Sequence, residues 1–290
     1  MSLSILAPLI YLLFGIVIAR FPVNIKGKIS AFLTRFVIPF VIVFNIATSQ
    51  NGLVIIMLGM ICVLSVMLVV SAIFKSDPVK RLCFFYLNIA WLGLPVGSAI
   101  WGSTAATILI AIYIGSSLFC NSVCASLMAP DFSWKQRILL IAKAPPVIAL
   151  EIGVLLLPWG NWIEQHIHFL YELAKFTMTF FGMMLLGIWL SSTKLKTADF
   201  KQAFRLFLFR FISLSILITL CIWIAKYYEF ELVTQNKPIF YLVALLPPAA
   251  NLIILETYYL KTGKSASMIA CGTIISMVAI GCYISYLFIF

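Results

Sequence analysis

The chain has 290 residues, of which 63% are hydrophobic and only 10% charged, with a mean hydropathy of +1.13. A soluble domain carries roughly 45–50% apolar and about 25% charged residues, so these proportions exclude an ordinary cytosolic enzyme, a disordered chain and a disulfide-stapled secreted domain. The net charge of +11 comes from 20 Lys+Arg against 9 Asp+Glu; it would raise nucleic-acid binding in a soluble protein, but here the basic residues are spaced between apolar runs, and no nucleic-acid partner is expected.

One membrane crossing takes about 20 apolar residues. The apolar runs predict ten helical spans, the first five being Leu3–Ala19, Ile29–Thr48, Leu53–Phe74, Leu82–Trp101 and Ala105–Met128. The second five are Ile138–Pro158, His166–Leu190, Leu206–Tyr227, Pro238–Tyr259 and Ser267–Phe290. The first run lacks a basic flank before it and continues to Arg20, so it reads as a retained span and not a cleaved signal. Cys62, Cys83, Cys120, Cys124, Cys221, Cys271 and Cys282 all fall inside these runs, with no CxxC pair. They read as small core hydrophobes, and neither a metal site nor a cofactor is expected.

The connections give an independent test of the span count. Arg20, Lys26 and Lys28 stand in the first, Lys75, Lys80 and Arg81 in the third, and Lys135 and Arg137 in the fifth. Lys194, Lys196, Lys201 and Arg205 stand in the seventh, and Lys261 and Lys264 in the ninth. The intervening connections are nearly free of basic residues, and the one around Glu229 and Glu231 is acidic. Positive-inside bias then places the odd connections in the cytoplasm and both termini on the outer side of the cell membrane.

Five spans per half with opposite starting sides predict an inverted repeat: residues 1–128 as one five-helix unit, 129–137 as a short cytoplasmic linker and 138–290 as the second unit. The fourth member of each half carries helix-breaking chemistry, Asn88 with Gly93-Leu94-Pro95 in one and Pro247-Pro248 in the other. Paired interrupted spans point to a transporter binding site. The alternative is that these prolines only kink their helices, and Pro39 and Pro145-Pro146 show that proline is not confined to the two positions.

At these residues the chain resembles the auxin efflux carrier family of bacterial, fungal and plant transporters, related in fold to bile-acid/sodium symporters. The motifs are Phe36-Val37-Ile38-Pro39-Phe40, Asn88-Ile89-Ala90-Trp91-Leu92-Gly93-Leu94-Pro95, Gly182-Met183-Met184-Leu185-Leu186-Gly187 and Leu246-Pro247-Pro248-Ala249-Ala250, with Tyr259 closing the ninth span. The resemblance implies an all-α fold of two inverted five-helix repeats, with the fourth and ninth helices broken and crossing near the bilayer centre. It implies elevator-like transport of small organic anions, usually carboxylates, and a homodimer through scaffold helices. Asn88, flanked by Leu87 and Ile89, matches the asparagine that contacts the substrate carboxylate in the plant members, and Pro247 matches the proline of the second crossing strand. The chain departs from the plant exporters in having Leu87 where they have proline, a short Ala129–Gln136 connection in place of their long central loop, and no charge in Leu53–Phe74.

The chemistry of such a site is simple. An anion at mid-membrane needs donors, because unpaired charge in a low dielectric is costly. A half-helix starting near Asn88 would offer backbone N–H groups and the positive end of its dipole, with Asn88 able to cap it and still present an amide. The half-helix after Pro247-Pro248 would do the same, with proline at its first position and Asn251 within one turn. This arrangement needs no cationic side chain. The alternative is that Asn88 and Asn251 only bridge the two broken backbones. Asn45 and Asn121 are weaker binding candidates, since an interhelical hydrogen bond explains either.

Charges inside spans are read separately. Glu151 lies about seven residues, roughly 10 Å, from the outer end of its helix, and Lys175 and Glu172 are at similar depth on the next one. Glu151 is expected to face Lys175 as a structural ion pair, with proton coupling the alternative. Glu256 and Arg35, near cytoplasmic ends, are expected to snorkel.

No HExxH, GxSxG or P-loop motif is present, the only histidines are His166 and His168, and Asp77, Asp131 and Asp199 all fall in connections; an enzyme is therefore not expected. A channel would call for rings of charge and a sensor for a fused signalling domain. A sodium-coupled symporter is the other transport mechanism, separable by its sodium dependence.

Overall fold

A computed structural model of the chain describes residues 3–20, 26–48, 52–74, 77–128, 133–143, 145–192, 196–250, 252–260 and 262–289. About 90% of these are helical, and no strand is present among them beyond one isolated antiparallel bridge. The helices are α1 Leu3–Ile18, α2 Lys26–Phe32, α3 Ile38–Ala47, α4 Leu53–Val70, α5 Pro78–Phe85, α6 Leu94–Met128 and α7 Trp134–Ala142, then α8 Pro145–Leu155, α9 Gly160–Ser192, α10 Thr197–Tyr227, α11 Glu231–Gln235, α12 Lys237–Leu245, α13 Leu252–Leu260 and α14 Ser265–Ile289. Two π-helical turns, Leu33–Val37 and Ile89–Gly93, lead into α3 and α6.

Among the described residues, five helical stretches are long and apolar enough to cross a bilayer: Leu53–Phe74, Ile89–Cys120, Leu157–Ile188, Thr197–Tyr227 and Ser265–Leu287. On α4 the residues Val54, Ile55, Leu58, Val66 and Val69 are exposed, and on α10 Ile212, Ile216, Leu220 and Trp223 are exposed. Apolar surface on this scale is stable only against lipid or a partner. By length and composition the chain is a membrane protein.

Other expected spans are built from shorter pieces. The second combines α2, a π-turn and α3; the sixth is interrupted near Lys143, between α7 and α8. The second half of the fourth and the whole of the fifth run together as α6, except that Gly102 adopts φ 71°, ψ −149°. A side chain there would be strained, so the exposed Gly102 is where the helical path breaks between Trp101 and Ser103.

The chain divides into two compact units, one of Met1–Leu58 with Ala90–Ser192 and the other of Gly59–Ile89 with Thr193–Phe290. Each unit draws residues from both halves of the sequence.

In the first unit α1 lies along α9 at very close range. A Cβ on Gly15 would run into the Met184 carbonyl oxygen, and one on Gly187 would run into that of Leu12. Two glycines, one per helix, therefore let the backbones touch, the device by which membrane helices gain van der Waals contact where burial from water gives no drive. α3 packs on α8 and α9, where Phe44 stacks on Tyr171 with ring centroids 4.1 Å apart.

In the second unit α10 is the spine, packed against α14, α12 and α5. α5 begins at Asp77-Pro78: the Asp77 carboxylate accepts the Lys80 N–H at 3.1 Å, and proline occupies the start of the helix, where a missing N–H costs nothing. Phe84 stacks on Phe209 at 5.2 Å and meets Phe74 edge-on at 5.3 Å, which fixes the last turn of α5 against α10.

Candidate functional site

In the second unit the extended stretches that follow α5 and α12 pair with each other. α5 stops at Phe85, and Tyr86 is extended at φ −85°, ψ 107°. α12 stops at Leu245, and Leu246 is extended at φ −69°, ψ 145°, as expected for a residue preceding proline. The Asn88 N–H donates to the Pro247 carbonyl at 2.9 Å, and the Ala249 N–H donates to the Tyr86 carbonyl at 2.8 Å. Leu87 and Pro248 are opposed between these two bonds. Every residue from Tyr86 to Asn88 and from Leu246 to Ala250 is buried.

The proline pair fits this pairing because neither ring nitrogen is asked to donate. Pro248 occupies the opposed position that exchanges no hydrogen bonds, and Pro247 contributes only its carbonyl. This corrects the expectation that proline opens the following half-helix: α13 starts at Leu252, beyond both prolines. The prolines stop α12 and hold the chain extended. On the other side the interruption falls at Tyr86–Asn88, ahead of Gly93, which ends the π-turn, and Pro95, which is the second residue of α6. α14 approaches the crossing at Gly272, where a Cβ would lie 3.1 Å from Cδ of Pro248.

The sequence-derived candidates separate into groups. Leu87, Asn88, Pro247 and Pro248 come together at the crossing, and Ile89 follows directly, its N–H reaching the Leu87 carbonyl at 3.0 Å. Asn45 lies in the first unit, where it donates to the Val41 carbonyl at 2.8 Å and accepts from the Tyr171 hydroxyl at 3.4 Å; an interhelical bond accounts for it. Asn251 lies outside the described residues. Asn121 falls within α6, but its side chain is outside the description.

Two charge expectations are corrected. Lys175 pairs with Glu172, one turn away on the same helix at 2.6 Å, and not with Glu151. Glu151 is exposed and makes no ion pair among the described residues. An i,i+3 partner on one helix needs no tertiary register, which is why it prevails over a partner on the neighbouring helix. Glu256 does not snorkel. It is fully buried, and its carboxylate accepts the Lys264 N–H at 2.7 Å, the Ser265 N–H at 2.8 Å and the Thr262 hydroxyl. The backbone donors are orphan groups at the start of α14, so Glu256 closes the α13–α14 connection as a remote helix cap. Arg35 is exposed on its π-turn.

One residue escapes the sequence reading. Arg210 on α10 is 1% exposed. Its Nη1 donates to the Cys83 carbonyl in the last turn of α5 at 3.3 Å, and its guanidinium carbon lies 5.6 Å from the Phe207 ring. The cation therefore caps the negative end of the helix that leads into the crossing. Its Nε and Nη2 have no hydrogen-bond partner, at a cost of about 1–3 kcal/mol for each buried group left unmet. An arginine five residues inside an apolar span is the signal that marks it.

Among the described residues no group of three His, Cys, Asp or Glu side chains is placed to hold a metal ion. A scan of protein-family models finds no match to the chain, and a search of curated proteins finds no significant one.

Proposed function

We propose that the chain is a secondary transporter of small organic anions, most simply carboxylates, taken at the crossing of Tyr86–Asn88 with Leu246–Ala249. The observation that carries this reading is the pairing, within one unit, of the extended stretches that follow α5 and α12, with Asn88 4% exposed at the pairing. Broken helices at membrane depth cost backbone hydrogen bonds and persist where they build a binding site. Asn88 supplies an uncharged amide beside helix ends whose dipoles favour an anion, a combination that binds without trapping.

The same reading keeps ten spans in two inverted repeats, both termini on the outer side of the cell membrane, a transport domain that moves against a scaffold, and a homodimer. Family resemblance and the distribution of Lys and Arg support these features. Energy comes from ion or substrate gradients, in line with the lack of a nucleotide-binding motif.

The test is uptake of labelled mono- and dicarboxylates into proteoliposomes, with and without sodium and proton gradients. Saturable uptake above empty liposomes is the expected result, and dependence on one gradient assigns the coupling. Failure of every carboxylate to enter would overturn the substrate class.

A further inference from the structure

We propose that Arg210 is an anion-binding residue that grips a carboxylate side-on through Nε and Nη2, and that it supplies the positive charge which the crossing itself lacks. The geometry of the guanidinium makes the case. Nη1 is tied to the Cys83 carbonyl, whereas Nε and Nη2 are both without partners. Those two nitrogens share one edge of the planar group, the edge that presents two parallel N–H bonds to a carboxylate. Anchoring by Cys83 and by the Phe207 face holds that edge in place before any ligand arrives. No carboxylate among the described residues takes this role: Arg210 makes no ion pair with one, and Glu256 is engaged by Thr262, Lys264 and Ser265. A buried cation with an unmet bidentate edge marks an unexplained polar group of the kind that a ligand satisfies.

Two further features lie in the same unit. Cys83, which Arg210 holds, is five residues before Asn88, so the cation and the crossing are joined by one turn of α5 and a short extended stretch, on the order of 10 Å. A cavity of about 640 Å³ is lined on α10 by Ala198, Lys201, Arg205, Leu206 and Phe209, with Lys80 across from them. Arg210 is one turn beyond Leu206. Basic side chains around a cavity raise the local concentration of anions, so Lys80, Lys201 and Arg205 gather them near the position where Arg210 is placed to bind.

The substrate role of this site rests on the transport reading; carboxylate binding at Arg210 does not, and it is tested apart from flux. Benzoate and malonate, one aromatic monocarboxylate and one short dicarboxylate, are titrated into the purified protein while its melting temperature is followed by tryptophan fluorescence. Benzamide and sodium chloride at matched ionic strength serve as controls. The expected result is a saturable rise with at least one carboxylate and none with benzamide. Arg210→Gln moves its midpoint to roughly tenfold higher concentration or more. Arg210→Lys keeps the charge and a donor for Cys83 but loses the fork; it folds and shows a similar loss. An unchanged midpoint in either folded variant, or no saturable rise in the natural protein, would overturn the assignment. Carboxylate uptake without such a rise would remove Arg210 and leave transport standing, and a rise lost in both variants without any uptake would do the reverse.

Discussion

Leu87 and Pro248 oppose one another across a two-residue-wide crossing, flanked by the hydrogen bonds Asn88 N–H to Pro247 and Ala249 N–H to Tyr86. Proline is tolerated at this buried position because the opposed pair exchanges no bonds. The position of the donor therefore predicts two different responses at one residue. Ala249→Gly keeps the N–H and costs only about 0.5–1 kcal/mol, through added freedom of the unfolded chain. Ala249→Pro removes the donor to Tyr86 and orphans a buried carbonyl, for about 1–3 kcal/mol before any steric cost. Thermal unfolding in detergent separates the two; equal losses would contradict the pairing.

Helix α1 meets α9 through Gly15 and Gly187, each directly against a carbonyl oxygen of the other helix. Gly15→Ala and Gly187→Ala each force the backbones apart and cost about 1–3 kcal/mol or more. Gly281→Ala, where nothing lies within 4 Å, is neutral or stabilising, because alanine is the better helix former by about 1 kcal/mol. Melting temperatures of the three variants check this ordering.

Glu256 fastens the start of α14. Glu256→Ala strands the Lys264 and Ser265 N–H groups and lowers stability by about 1–3 kcal/mol, while Glu256→Gln keeps one acceptor oxygen and falls between. Tryptic cleavage after Lys264 accelerates in the same order, provided that capping and not charge alone is what matters.

Glu151 makes no ion pair among the described residues. Glu151→Gln leaves the pH profile of uptake unchanged, whereas a proton-coupling carboxylate would shift it. Glu172→Ala, which removes the half-exposed partner of Lys175, costs under about 1 kcal/mol.

The readable part of the molecule was that set by local chemistry. Apolar runs reveal membrane-crossing helices because lipid demands them, and Asn88 with Pro247-Pro248 marks the interruptions because proline and a buried amide are costly anywhere else in an apolar span. The pairing partners were not readable. That Asn88 reaches Pro247, and that both prolines precede α13, depends on two segments about 160 residues apart meeting in one register. Arg210 was hidden by its neighbours: with Lys201 and Arg205 just before it, it passes for one more basic residue at a span end until packing buries it under Cys83. The burial of Glu256 is not legible for a related reason, since its partners are backbone N–H groups beyond a turn, which no pattern of side chains announces. Lys175 found its partner on its own helix, where spacing alone suffices.

We propose that an anion is recognised at the crossing beside Asn88. The most direct test uses whichever carboxylate the natural protein carries, and compares its flux in proteoliposomes with that of Asn88→Ala and Asn88→Asp, each verified as folded by its melting temperature. Removing one neutral donor costs about 1 kcal/mol or more, so Asn88→Ala is predicted to raise the half-saturating concentration at least about fivefold, and the negative charge of Asn88→Asp is predicted to abolish flux. Unchanged flux in both variants would rule out anion recognition at Asn88.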